Sequence, residues 1–402
     1  MASVPLPAPQ ADLIRRIGSA TVTRSVIERK ARYHLGAVYD ADGTLVRESR
    51  RFPDKHRAGD PKSLAMVEGL KIERRIGRAL YLGHAFTHFG HFLIETVPAL
   101  WWARRVDDVA LIFHPFDEAG RNVFAETAHG RDCLALLGLA PDRVVMATVD
   151  LAVEELLLPP RHYDMRTGPR YDFREIYRTL VAAAQRWQPS QSDMTQPAKP
   201  LPPPSWGRAG VGVVLSAEDR VELSRLRPHP NPPPPRGREL QRALHESDAI
   251  AGRSQPKAGA SRIYLSRRLL KRRLRRLSND AAVERRVARR GFAIVHPQHM
   301  SLVDQINAAA GADLIAGVDG SALHLSVFMR PGSRMLVLQT KRRRTIHFMN
   351  ALMEVETISV PAIPAAAARR KRIDLKELDR ALDDLGCPRP GLVGRILDML
   401  DR

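Results

Sequence analysis

The sequence predicts an α/β protein built as two similar halves facing a cleft. Three observations carry that expectation. Short apolar, β-branched runs alternate with helix-length segments along both ends of the chain, the pattern of parallel, doubly wound sheets. A stretch of quite different composition, residues 189–258, separates the two ends. With 402 residues the chain is long enough for two or three domains, each of roughly 100 to 200 residues.

The second half is the more regular. RIYLS (262–266) and FAIVH (292–296) read as strands, and DAAVERRVARRG between them has helical spacing closed by Gly291. SLVDQINAAAGA reads as a helix with Ser301 as N-cap and Asp304 three residues on, a capping-box variant. ADLIAG follows as a strand, DGSALHLSVFM as a helix and RMLVLQT as a further strand.

In the first half ALYLG, DVALIFHP, RVVMAT and VEELLLPP read as strands, with helical material around 92–105 and 119–138. DLKELDRALDDLG and GLVGRILDMLD at the end read as two amphipathic helices packed on the outside. The expected layout is an N-terminal α/β domain over 1–188, a disordered proline-rich insertion over 189–258, a C-terminal α/β domain over 259–345 and C-terminal helices over 346–402. Twelve of the 30 prolines fall between Pro189 and Pro235. Such a segment neither builds a ladder nor buries enough apolar surface to offset its ordering entropy.

The formal charge is +20, and 54 of the 64 basic residues are arginine. That excess fits a nucleic acid, an anionic membrane or a phosphorylated substrate. It is densest in SRRLLKRRLRRLSND (266–280), where seven of the ten positions from Arg267 to Arg276 are basic. Aromatic residues are few near this cluster and no base-reading motif accompanies it, so nucleic-acid binding is the alternative reading, not the expected one. Cys133 and Cys387 are too few for a disulfide framework. The start lacks an apolar signal region, and no run reaches the ~18 apolar residues of a membrane span. A cytoplasmic protein is expected, with peripheral contact at the inner membrane face left open; oligomeric state is not legible.

Two stretches could carry chemistry. In GADLIAGVDGSALH (311–324) a strand runs into Asp319-Gly320-Ser321 and then a helix. Backbone N–H groups at such a helix start hold anions, although Asp-Gly-Ser is also a common way to open a helix. Ser266-Arg267-Arg268 ends its own strand, and parallel strands bring their carboxyl ends to one edge, so a diphosphate could sit between Arg267 and Gly320. In THFGHFLIETVPALWW (87–102), His88, His91 and Glu95 fall three and four residues apart and share a helical stripe with Pro98 and Trp102. They fit a set of metal ligands, a satisfied polar cluster in the core, or an active-site wall holding a general base.

Taken together, THFGHFLIETVPALWW, IYLSRR with RRLSND, GFAIVHPQHMSLVDQI and GADLIAGVDGSALHLSVFMRPGSRMLVL resemble, in order, glycosyltransferase family 61, over about residues 70–345. The resemblance implies an inverting, metal-independent transferase of GT-B architecture, with two Rossmann-like domains facing a cleft. It implies no cofactor, a nucleotide-sugar donor, and a glycan or lipid-linked glycan as acceptor.

Carried over residue by residue, the resemblance places Ser266, Arg267, Arg276, Asn279, Asp319, Gly320, Ser321 and His324 at the nucleotide sugar. His88 and Trp102 fall on the acceptor side, and His91 or Glu95 becomes the base. Where many relatives have His-Gly-Ala this chain has Asp319-Gly320-Ser321, which sets a carboxylate where an imidazole could face phosphate and points it toward a ribose or sugar hydroxyl. An unperturbed His, near pKa ~6.5, is better poised as a base than an exposed Glu near ~4.3.

Overall fold

The computed structural model describes residues 13–28, 33–50, 70–117, 119–161, 163–164, 168–169, 173–187, 260–270, 277–341, 344–365, 368–389 and 391. The 189–258 insertion, Arg276 and the tail after Gly391 lie outside the described residues. The described parts on either side of the insertion belong to one compact unit.

The first half holds β1 (Arg15–Val22), β4 (Val38–Tyr39), β5 (Leu45–Val46), β6 (Ile72–Ala85), β7 (Ala110–Pro115), β8 (Val144–Met146) and β9 (Asp150–Leu158), with two small ribbons, β2–β3 (Val26–Glu28, Tyr33–Leu35) and β10–β11 (Tyr163–Asp164, Gly168–Pro169). The seven strands line up as β5-β4-β1-β9-β6-β7-β8. The last four are parallel, whereas β1 runs antiparallel to β9. The half is therefore mixed: a parallel block with an antiparallel meander on its side. The meander's short strands carry little sequence signal.

In the second half, β12 (Arg262–Leu265), β13 (Ala293–Val295), β14 (Leu314–Val318), β15 (Arg334–Gln339), β16 (Glu356–Ala365) and β17 (Ala368–Ile373) line up as β13-β12-β14-β15-β16-β17. All neighbours are parallel except β16 and β17. Chain order reverses between β12 and β14, which is the switch point where ligands lodge in doubly wound sheets. The expectation of helices alone over 346–402 is corrected here, because β16 and β17 extend the sheet. β16 contains Pro361 and Pro364 and β17 is ARRKRI, so neither shows the apolar run of a central strand.

The helices fall largely where their spacing placed them. α1 (Phe89–His91), α2 (Val97–Leu100), α3 (Val123–Glu126), α4 (Ala128–Leu137) and α5 (Phe173–Arg186) belong to the first half; α6 (Asp280–Arg289), α7 (Leu302–Gly311), α8 (Arg344–Leu352) and α9 (Leu375–Asp384) belong to the second. Ser301 caps α7 by accepting the Asp304 N–H at 3.0 Å. Gly291, at φ +83°, follows α6 in the left-handed conformation that glycine adopts most readily. Ser321–Phe328 is a 3₁₀ helix.

The largest apolar cluster draws on both halves, from Leu80, Phe92, Leu93 and Tyr177 to Ile263, Ile315, Leu323 and Phe328. Polar contacts cross the same boundary. Asp132 of α4 accepts the Leu302 N–H at the start of α7 (2.9 Å), and Arg174 of α5 donates to Leu352 O (2.5 Å) and pairs with Glu354 (2.7 Å).

A core shared in this way should melt as one. Phe92→Ala, at a fully buried position, is expected to cost about 3–5 kcal/mol and to shift a single denaturant transition; separate transitions for the two halves would contradict the shared core.

Two imidazoles, His114 fully buried and His129 half-buried, make stability depend on pH. Burial lowers the pKa of His114 to about 4, and burial followed by the nearby Arg131 lowers that of His129 to about 4. An unfolded His titrates near ~6.5, so between the two values the unfolded chain binds more protons. Their contribution is complete above ~6.5 and is lost as pH falls toward 4. His129 Nε2 has no partner among the described residues, and its ring packs edge-on to Phe89 and Phe92. His129→Leu should therefore flatten the fall in urea stability between pH 7 and 5, and an unchanged slope would remove His129 from the account.

Candidate active site

The stretch 88–104 breaks a simple helix into pieces. α1 passes into a π turn, Phe92–Thr96, then into α2 and a 3₁₀ turn, Trp102–Arg104. Pro98 is the local cause, since it has no N–H to give. The Val97 N–H reaches back to Phe92 O, so neither Val97 nor Pro98 serves Leu93 O. The Tyr177 hydroxyl of α5 fills that vacancy, donating to Leu93 O at 2.6 Å. Thr96 then fastens the segment to β6, its hydroxyl donating to His84 O and accepting the Phe86 N–H, both at 3.1 Å.

This anchoring sets His91 and Glu95 one turn apart, with His91 Nδ1 2.6 Å from Glu95 Oε1. A carboxylate can only accept, so Nδ1 carries the proton and Nε2 is the basic nitrogen. The Glu95 side chain is 12% exposed and that of His91 35%. Trp102 follows in the 3₁₀ turn. It is buried, and its indole N–H donates to Pro160 O at 3.1 Å.

The second half supplies the opposite wall at its switch point. Asp319-Gly320-Ser321 follows β14 and Ser266-Arg267 follows β12. The Arg267 guanidinium lies over Gly320, where an added Cβ would come 2.1 Å from Nη1, and it donates to Asp319 O at 3.3 Å. Asp319 is buried; its Oδ1 accepts from the backbone N–H (2.8 Å) and the hydroxyl (2.5 Å) of Thr340, just past β15.

The two walls meet. His88, Gly90, His91 and Ile94 line a cavity of about 200 Å³ together with Asp319, Gly320, Ser321, Leu323, His324, Thr345 and Ile346. His88 Nε2 stands 3.3 Å from Ser321 Oγ, and a Cβ on Gly90 would lie 2.9 Å from the His324 ring. Six residues expected at the site thus share one cavity: His88, His91, Asp319, Gly320, Ser321 and His324. Arg267 borders it through Gly320.

Others are held elsewhere. The buried Ser266 hydroxyl donates to Glu284, which also pairs with Arg268 at 3.1 Å. Asn279 bonds Ile373 through both ends of its amide, at 2.8 and 3.1 Å. Both tie the carboxyl edge of the sheet to its surroundings. Glu95 and Trp102 line a neighbouring cavity with Glu48, His84, Pro160 and Arg161, beyond the carboxyl ends of β6 and β9. There the chain order of the first sheet's parallel block also reverses.

Among the described residues no three His, Cys, Asp or Glu side chains are grouped to hold a metal ion. Sequence reasoning passed over Gly90, Glu284, Thr340 and Thr345. Gly90 did carry a signal, since a glycine inside a helical run often marks a close approach.

At Gly320 a methyl group has to push aside the tip of a flexible side chain, not backbone, so the fold should tolerate it. Gly320→Ala is expected to keep its thermal midpoint within a few degrees, and a drop of ten degrees or more would show that the Arg267 guanidinium cannot yield.

The family model for Glycosyltransferase 61 matches residues 89–336. No curated protein matches the chain. The matched span covers well over half of the 402 residues and takes in both walls of the cavity, from Phe89 through His91 and Arg267 to His324. The chain therefore belongs to glycosyltransferase family 61, and its activity is glycosyl transfer.

Proposed function

We propose that the protein is an inverting, metal-independent glycosyltransferase that moves a sugar from a nucleotide-sugar donor to a glycan or lipid-linked glycan acceptor in surface or capsular polysaccharide biosynthesis. One observation carries the reading: a single cavity sets His91 of the first half opposite Gly320 and Ser321 of the second. In GT-B terms the first sheet serves the acceptor and the second the donor.

His91 Nε2 takes the proton from the acceptor hydroxyl as that oxygen bonds to the anomeric carbon. The bond from that carbon to the diphosphate oxygen breaks on the opposite face, which inverts the centre, and the nucleoside diphosphate leaves with the bonding pair. Glu95 holds the proton on Nδ1 and stabilises the imidazolium that forms. Arg267 and the N–H groups at the start of Ser321–Phe328 meet the negative charge growing on the leaving group. Their half-buried setting makes the attraction stronger than it is in water.

The acceptor chain approaches across the cavity of Glu95 and Trp102, beside His88. The reaction takes no cofactor. It proceeds in the cytoplasm, where the positive charge of the chain favours the anionic inner face of a membrane that carries lipid-linked acceptors.

Transfer assays on single variants test the roles. His91→Ala should lower kcat by about 10²- to 10⁴-fold with little change in donor KM. Glu95→Gln, whose amide oxygen still accepts from Nδ1, should lose less. Full turnover in His91→Ala would end the assignment of His91 as the base.

A further inference from the structure

We infer that the protein has a second ligand site, a cavity between α5 and the chain beyond Ser321–Phe328, which takes an amphiphile with one apolar chain and one anionic head. Its occupant bears on two aromatic rings that brace both walls of the cavity of His91 and Gly320. Neither the donor nor the base assigned above enters into it.

The second cavity measures about 250 Å³. Its floor is apolar: Val327, Phe328, Met329 and Met353 are buried there, and Val181 and Ala182 line it from α5. Such a surface gains free energy when an apolar chain displaces water from it. The polar groups that complete the lining include Arg174, Arg178 and Arg330, and no carboxylate. Glu354 pairs with Arg174 and Asp313 with Arg330, whereas Arg178, exposed on α5, has no acidic partner among the described residues. Val181 and Ala182 stand three and four residues beyond Arg178, so charge and apolar lining share one helical stripe. An uncharged hydrophobe leaves the guanidinium unmet, and a free phosphate leaves the floor wet. A chain that ends in one anionic group meets both.

The cavity shares no lining residue with that of His91 and Gly320. Tyr177 nevertheless lines it, with its ring edge-on to Phe328 at 5.5 Å. The Tyr177 hydroxyl holds Leu93 O in the π turn that sets His91 against Glu95, and Phe328 ends the 3₁₀ helix that begins at Ser321. An occupant packed on both rings therefore restrains both walls without entering the first cavity.

Isothermal titration of the full chain with decyl phosphate, kept below its micelle concentration, tests the site. Binding should saturate at one equivalent, while inorganic phosphate and decanol should each bind at least about tenfold more weakly. Arg178→Glu should weaken decyl phosphate about tenfold or more, and Ala182→Trp, which fills the cavity, should abolish binding. Arg75→Glu makes the same charge change at an exposed position on β6 and should leave the affinity unchanged. Hydrogen exchange reads the link between the cavities. Decyl phosphate should slow exchange in residues 173–187 and 327–331, which supply lining, and also in residues 92–97, which supply none.

A wild type that does not bind decyl phosphate overturns the site. So does equal affinity in the wild type, Arg178→Glu and Ala182→Trp, or an Arg75→Glu variant weakened as much as Arg178→Glu, since either places the ligand on the basic surface at large. Slowed exchange confined to the lining segments leaves the site standing and overturns its hold on the first cavity. If Ala182→Trp does not fold, Arg178→Glu decides, because that side chain is exposed.

Discussion

The site depends on a close approach at Gly90. The turn that carries His91 touches the 3₁₀ helix that carries Ser321 and His324, and at 2.9–3.3 Å there is no room for a methyl group between them. Every other distance across the cavity follows from that contact. If the two segments stood farther apart, an imidazole on one sheet's edge could not serve a bond held at the other's. Because the apolar cluster of Phe92, Leu93 and Tyr177 continues into Ile263, Leu323 and Phe328, the approach is held by packing on the side away from the ligand. The cavity is a seam in a common core, closed by apolar contacts behind it and open where the polar groups converge.

Charge is distributed along that seam in a consistent order. Cationic groups gather where β12 ends, and the Gly320 backbone admits a guanidinium that any side chain would displace. One strand farther on, a buried carboxylate takes over, held rigidly by Thr340. A uniform arginine surface for nucleic acid would not set a buried, half-satisfied carboxylate beside its cation, since the carboxylate would oppose every phosphate near it. The composition of the whole chain points to anions in general; the site itself sets one guanidinium against the backbone carbonyl of one buried aspartate.

Much of this was legible in the sequence, for identifiable reasons. Strands β12, β14 and β15 are short apolar runs bounded by glycine and polar residues, so periodicity exposes them, and their parallel order brings Arg267 and Gly320 to one edge before any coordinate is known. β16 and β17 were hidden because their prolines and arginines imitate a loop. The π turn itself was not legible, because helical spacing assumes 3.6 residues per turn. His91 and Glu95 meet all the same, and Trp102, although buried, lines one cavity with Glu95. Thr340 left no local trace at all; it matters only because β15 lies beside β14, a fact of topology and not of its neighbours in the chain.

The π turn also sets the geometry of the histidine and the glutamate. A metal needs ligand atoms pointed at a common centre, whereas here His91 Nδ1 and Glu95 Oε1 point at each other across 2.6 Å. A pair arranged this way fixes which nitrogen carries the proton and leaves the opposite nitrogen basic, as proton abstraction requires. Holding it costs the segment a regular backbone hydrogen bond, and Tyr177 restores the balance from α5, on which the second half also packs. The His91–Glu95 pair and the contact between the halves are therefore supported by the same helix. A shift of α5 would loosen Leu93 and, with it, the geometry that sets His91 against Glu95 at the edge of the cavity.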